Sequence, residues 1–487
     1  MEAATLKRPK ETHKNHEEKR DPLANLPEPL LHLILSYLAM KDVIRTSVLS
    51  KRWRYIWLYV PCLNFPPLKM SRSKEVAFIN QSLLLHKCPA IQKFSLTFLQ
   101  HDAEPHHVDS WIYFTKTRNV NKLNLDFRNN HLETQPVRCY RLPDFLFSST
   151  SLTALSLVRC EIHFPVKCKL SSLKILSLEQ VYFSDGTIAD LTGSTPILEF
   201  LSLTNCQRFA DFNVHIYRGS TIKTLKIHES DHCSSNSSLS ISVPCITSFE
   251  LFTSRTRMLY IFHRMESLES AGFGCSKVTC GQYEMGKGRI YFWSPADVRH
   301  VKYLKLCSCY IKVLPRRKER NCVSFEALCL SIKTGLTKGE LPGIGYMLRH
   351  SPKIKTLIIN IDNIQAKESH NHSEDREYWE LQEPNFVDLL CNLKDVKIYN
   401  FLKNLEVPES KQLSRTEDFL ADLQNDMNFL RFLLKNSKVM ERMTITTFKD
   451  VQFGRNSENK KLKLLFQVAQ ELLAFPRASR AVQISFN

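Results

Sequence analysis

Two hydrophobic rhythms divide the chain. Between residues 26 and 57 the apolar positions recur three and four apart, the spacing of a helix with one apolar side. Leu30, Leu31, Ile34, Leu35 and Leu38 make one continuous stripe. Pro27 and Pro29 sit in its opening turn, where a missing N–H costs little, and Asn25 is placed to cap it. Asp42 is placed to cap a short second helix carrying Val43, Ile44, Val48 and Leu49. Ser50 is placed to cap a third, with Trp53 and Trp57 one turn apart on one side. The pattern predicts three short helices meeting at one apolar cluster. So small a unit buries little of that surface alone, so the stripe is completed either by the rest of this chain or by another protein.

From residue 91 the rhythm changes to an apolar residue, two others, an apolar residue, one other, and a third apolar residue, beginning with Ile91-Phe94-Leu96. The middle residues of the copies are Phe94, Leu123, Leu155, Leu176, Leu201, Leu225, Phe249, Ala271, Leu304, Leu328, Leu357, Val396 and Met443. They lie mostly 21–33 residues apart, the last two intervals stretching to 39 and 47. Each copy reads as a short strand whose alternate side chains point inward. One such unit cannot cover its own apolar side, but a stack can, and the period is that of a leucine-rich-repeat solenoid. In three copies a cysteine follows at the turn, Cys160, Cys206 and Cys309, where a small side chain packs inside the coil.

Pro66-Pro67 breaks the chain between the two rhythms, and Phe78, Ile79, Leu83 and Leu84 then suit a connecting helix. Residues 365–385 form an acidic, polar insertion, read as a surface loop.

The first segment carries a specific resemblance. LPxxLLxxILSYL over residues 26–38, followed by KDVIRTSVLSKRWRYIW over 41–57, resembles the F-box at the head of plant F-box proteins with leucine-rich repeats. The stretches 393–401, 432–445 and 472–486 resemble the FBD region that closes many such proteins, and their strand-helix-strand rhythm fits a cap on the open end of the solenoid. The span 402–428 departs from that pattern, being longer and lacking the customary glycine after Phe401. The expected architecture is therefore α/β. A basic disordered tail (1–20) precedes a three-helix F-box (21–66) and a linker helix (67–87). A leucine-rich-repeat horseshoe (88–364), the acidic loop and connector (365–390) and an FBD-like region (391–487) follow.

The resemblance implies a non-catalytic substrate receptor of an SCF-type ubiquitin ligase. Its F-box would dock on a Skp-type adaptor and, through it, a cullin, while the repeats hold a protein target. The residues matching the docking motif are Leu26, Pro27, Leu30, Leu31, Ile34, Leu35, Val43, Val48, Leu49, Trp53 and Trp57. Of these, Pro27, Leu30, Ile34 and Val48 are expected to face the adaptor, and Trp53 and Trp57 to weld the F-box to the first repeats. Two other readings stay open at this point: a repeat scaffold whose F-box works outside any ligase, and a basic repeat protein associated with nucleic acid.

Composition narrows the field further. The start of the chain has no apolar leader and no run reaches the ~18 apolar residues of a membrane span, so an intracellular protein, nuclear or cytoplasmic, with no membrane partner is expected. Lys7-Arg8-Pro9-Lys10 and Lys19-Arg20 are a possible import signal. Fifteen cysteines inside a cell read as buried thiols. The net charge of +18 is spread over the body rather than gathered in a stripe, so nucleic acid is not the expected partner.

Candidate chemistry is sparse. Gly281 to Gly288 nearly spells a phosphate loop, but glycine replaces the hydroxyl residue and a strand-like GRIYF run comes next. Cys275, Cys280, Cys307 and Cys309 with His300 have a mismatched second pair for zinc, and His370 and His372 fall in the acidic loop. No cofactor, metal or catalytic residue is expected. The densest basic run, Arg316, Arg317, Lys318 and Arg320, is a candidate loop for an acidic ligand or substrate.

Overall fold

A computed structural model describes residues 26–98, 105–128, 139–163, 169–185, 193–206, 213–215, 221–229, 238–242, 245–253, 259–263, 265–275, 298–316, 324–362, 378–386, 389–403, 424–447 and 458–486. Among these residues one parallel sheet of fifteen strands runs from Cys62–Phe65 to Gln483–Phe486. It is built in chain order, each new strand adding to the edge left by the last.

The inward columns of this sheet are the apolar positions of the repeat. Leu63 pairs with Phe94, Phe94 with Leu123, Leu123 with Leu155 and Leu155 with Leu176. The same register carries on through Leu225, Leu304, Leu357, Val396 and Met443 to Ile484. All of these except Ile484 are buried, and Ile484 packs against the core from the last strand. Covering one repeat with the next thus makes a single continuous core.

Two findings differ from the expectation. The copy centred on Leu328 sits two residues further on, since Leu304 pairs with Leu330 and Leu306 with Ile332. A slip of two preserves which side chains point inward, so parity alone cannot detect it. The ladder also starts earlier than residue 88, because Val60-Leu63-Phe65 is itself a copy of the motif and its strand lies inside the F-box segment. At the other end, the strands Asp395–Phe401, Arg442–Thr447 and Gln483–Phe486 of the FBD-like region are the last of the same sheet, in line with a cap on the open end of the solenoid.

The segments between strands change character along the array. Helices Arg72–Leu85 and Pro105–Thr117 back the first strands. In the middle, short second strands form two three-stranded parallel sheets, one from Tyr140–Arg141, Cys160–His163 and Tyr182–Asp185, the other from Asn213–His215, Ser238–Ser242 and Leu259–His263. Helices return with Ser308–Val313, Leu341–Arg349, Gln424–Asn436 and Glu458–Ala474. Where the chain leaves the sheet, Arg159, Gln180 and Asn205 adopt positive φ (60°, 52° and 53°). Their amides still reach the next strand, Arg159 to the Glu179 carbonyl at 2.9 Å and Gln180 to that of Thr204 at 2.7 Å. The turn is thus made without leaving the backbone unpaired.

Cys160 and Cys206 are buried thiols, and the Cys206 thiol donates to the Leu178 carbonyl at 3.6 Å. Cys309 departs from the expectation of free thiols: it is buried, as expected, but disulfide-bonded.

Candidate docking site

The F-box segment folds as helix Glu28–Leu35, helix Met40–Arg45, a 3-10 turn Thr46–Val48, a run of turns, and a second 3-10 turn Ile56–Tyr59. Asn25 lies outside the described residues, and Pro27 stands at the N-cap, its carbonyl accepting from the amides of Leu30 and Leu31 at 3.0 and 3.2 Å. Asp42 is not a cap. The helix begins at Met40, and Asp42 sits in its first turn, where a negative charge favours the exposed amides, paired to Arg45 at 3.1 Å. Ser50 does accept from the Trp53 amide at 3.4 Å, but the chain continues from there in turns and 3-10 helix rather than a third α-helix.

The eleven motif residues separate into three groups. Leu31, Leu35, Val43 and Trp53 are interior, joined by Met40, Ile56 and Val60. These four motif residues belong to the domain's own core rather than to its outward surface. The cause is helical geometry: Leu31 and Leu35 are four apart and meet the core together, while their neighbours Leu30 and Ile34 are turned about 100° away. Leu26 and Trp57 are half-buried against the same core. Pro27, Leu30, Ile34, Val48 and Leu49 are exposed, Leu30 by 46% and Val48 by 84%. Leu33, Tyr37 and Tyr55, which the motif did not single out, are exposed as well. With Leu38 and Tyr59, nine large apolar side chains between residues 30 and 59 are thus left outward by a unit that has its own buried core.

The other candidates gain nothing from the fold. Arg316 ends a 3-10 turn, and Arg317, Lys318 and Arg320 lie outside the described residues, as do the 281–288 loop, Cys280, His370 and His372. His300 Nε2 lies 3.1 Å from the Met265 carbonyl, and Cys307 is a buried thiol. No group of three His, Cys, Asp or Glu side chains able to hold a metal occurs among the described residues.

Comparison with known proteins decides the class. The F-box domain model matches residues 23–65, and the leucine-rich-repeat domain model of At1g61320/AtMIF1 matches residues 83–406. The chain belongs to the F-box/leucine-rich-repeat family. It is 29% identical to the putative F-box protein At1g49610 of Arabidopsis thaliana, over 73% of this chain and 88% of that one. It is 27% identical to the FBD-associated F-box protein At5g56370, over 96% of this chain and 100% of the relative. With the F-box/FBD/LRR-repeat protein At1g13570 it shares 25% identity, over 96% and 99%. Both of these are also from Arabidopsis thaliana.

In this F-box/leucine-rich-repeat protein the F-box is joined to the repeats by more than chain connectivity. The amides of Lys87 and Cys88, after the linker helix, donate to the Leu58 carbonyl at 2.8 and 3.2 Å. His86 Nε2 lies 3.0 Å from the Val60 carbonyl, with the ring buried. Arg118, after the next helix, reaches back to the carbonyls of Cys88 and His86 at 3.3 and 3.4 Å. Trp111 Nε1 donates to Asn80 Oδ1 at 2.7 Å, tying the first two helices behind the sheet. Burial, and to a lesser extent the Arg118 charge, hold the His86 pKa below its usual value against the pull of the Val60 carbonyl.

Proposed function

We propose that this protein is the substrate-recognition subunit of an SCF-type, cullin-RING ubiquitin ligase. Its F-box docks on a Skp-type adaptor and through it on a cullin, and its repeats hold the target. The chain carries out no covalent step. It raises the concentration of target lysines near the activated ubiquitin, which is a proximity effect. The observation that supports this reading most strongly is the outward apolar set Leu30, Ile34, Val48 and Leu49, on helices whose opposite side is closed by their own core. Such residues supply most of the binding energy when a partner covers them.

The test is a pull-down of the intact chain with a Skp-type adaptor and cullin, beside the Leu30→Ala/Ile34→Ala variant. Both positions are exposed, so the variant stays folded, and loss of both partners from the variant alone is the expected result. Retention of the adaptor without cullin favours a scaffold working outside the ligase. Absence of adaptor binding by the unaltered chain overturns the reading.

A further inference from the structure

One side of the long sheet is core, and the other is open and changes abruptly along its length. At the central outward position the first six strands carry Asn64, Ser95, Asn124, Ser156, Ser177 and Ser202, all small and uncharged. From the seventh strand charge enters, with Lys226 beside Glu250 and Lys305 two strands further on.

The charges there are not matched one to one. Glu250 sits between Lys226 Nζ at 3.2 Å and Lys305 Nζ at 2.9 Å. Asp362 sits between Lys333 and Lys403, each at 2.5 Å. Asp395 lies between Arg442 at 3.2 Å and Lys397 at 3.9 Å. Among the described residues these three carboxylates are thus ringed by six cations, a net of +3 within the three clusters. Burial alone would raise Glu250 and Asp362, but their lysine partners outweigh it and hold both below the usual carboxylate range. The edge of the same sheet behaves otherwise. There Lys302 pairs Glu269 at 3.0 Å, Lys353 pairs Glu326 at 3.4 Å and Lys394 pairs Glu441 at 2.7 Å, one cation to one acid. Each of these three pairs is neutral, where the three clusters of the open side are not.

Aromatic groups stand among these cations. Phe252 lies across Gly274 of the next strand, where a Cβ would overlap its ring. Lys305 Nζ stands 5.1 Å from the centre of that ring, and by register Tyr303 and Tyr399, both exposed, point to the same side of the sheet from its Tyr303–Cys307 and Asp395–Phe401 strands.

We propose that this second stretch of the open face, from the Lys226 strand to the Arg442 strand, binds an acidic segment of the target protein. Carboxylates of the segment meet the excess lysines and arginine, and its apolar side chains meet Phe252, Tyr303 and Tyr399. The proposal rests on the substrate-receptor reading and names the class of substrate. Aromatic residues are enriched at protein-binding surfaces, and the excess cations add charge complementarity to an acidic partner. The three embedded carboxylates work against the evenly charged backbone of a nucleic acid.

The experiment measures binding of a fluorescein-labelled peptide of alternating Glu and Tyr to the full chain. A Gln/Tyr peptide of the same length and single-stranded oligouridine serve as controls. The variant is Lys305→Gln/Lys333→Gln/Arg442→Gln, which leaves each carboxylate one cation. The edge variant Lys302→Gln/Lys353→Gln is its control. The expected result is binding of the Glu/Tyr peptide alone, weakened at least about tenfold in the triple variant and unchanged in the edge variant. No binding by the unaltered chain, equal binding by the triple variant, or oligouridine binding as tightly as the peptide each overturns the proposal. Adaptor pull-down with the same samples separates the two readings. The triple variant is expected to keep the adaptor. Failure of the unaltered chain to hold the adaptor, with peptide binding intact, removes the ligase reading and leaves the acidic-ligand site standing.

Discussion

The F-box helices and the repeat strands are both recognised by apolar periodicity, yet they use it differently. In the sheet nearly every residue of the pattern is covered by the next repeat, so Leu225, Leu304 and Leu357 have essentially no exposure. In the F-box, Leu31 and Leu35 are covered and their neighbours Leu30 and Ile34 are not. Periodicity reports that a side chain wants cover, and the supplier of that cover is decided by what lies alongside. A strand in a stack always has a neighbour of its own kind. A short helix at the end of the stack does not.

The largest expected effects are on the covered side. Leu35→Ala is expected to destabilise by about 2–5 kcal/mol, read by chemical denaturation, whereas Ile34→Ala one position away changes stability by about 0.5 kcal/mol or less. Similar losses from both would erase the contrast. Gly343→Ala belongs with the large effects, since its Cβ would overlap the Ile311 carbonyl where two helices of the array touch.

Asp426 sharpens the contrast from within the interior. Burial raises its pKa to about 7, so the folded chain holds a proton that the unfolded chain has already released. Stability therefore falls as pH rises from about 4 toward 7 on this account and is flat above. Asp426→Asn is expected to raise the melting temperature at pH 8 and to lose that advantage progressively as the pH falls to about 4. A gain independent of pH would deny the assignment.

On the uncovered side, Leu30→Ala/Ile34→Ala is expected to weaken the adaptor complex by about 2 kcal/mol or more, with an unchanged melting temperature. At the border between the regions, His86 is neutral when folded, with its pKa lowered. The unfolded chain takes up the proton first as pH falls, so stability is complete above about pH 6.5 and declines below it. Protection factors for hydrogen exchange at the Lys87 and Cys88 amides, corrected for the intrinsic pH dependence of exchange, are expected to fall below that pH and to lose the dependence in His86→Gln. The smallest effect is at the sheet edge, where Lys302→Gln is expected to cost under about 0.5 kcal/mol, as exposed pairs do.

Much of this was legible in the sequence, and the failures have physical causes. The strand positions followed from parity, and so did the one slip at Leu328, since a shift of two leaves parity intact. The strand Cys62–Phe65 was hidden because its residues were already claimed by the helical segment before it. The F-box motif named eleven residues but not which way each faced, because a stripe wide enough to serve two neighbours looks the same as one serving a single core. The two-to-one pairing around Glu250, Asp362 and Asp395 left no trace in local pattern. Except for Lys397 and Asp395, its members come from different repeats and meet only in register.

The strand Cys62–Phe65 is at once the last piece of the docking unit and the first rung of the ladder. Every later rung is therefore placed by counting from the docking end, at about 4.8 Å per step. The Lys226 rung is the seventh, six steps or roughly 30 Å along. Inserting or deleting one repeat before it would carry the whole basic stretch, chemistry unaltered, one step away from or toward the docking end. In such a molecule reach is a digital quantity, set by the number of repeats and open to change without touching a single contact residue.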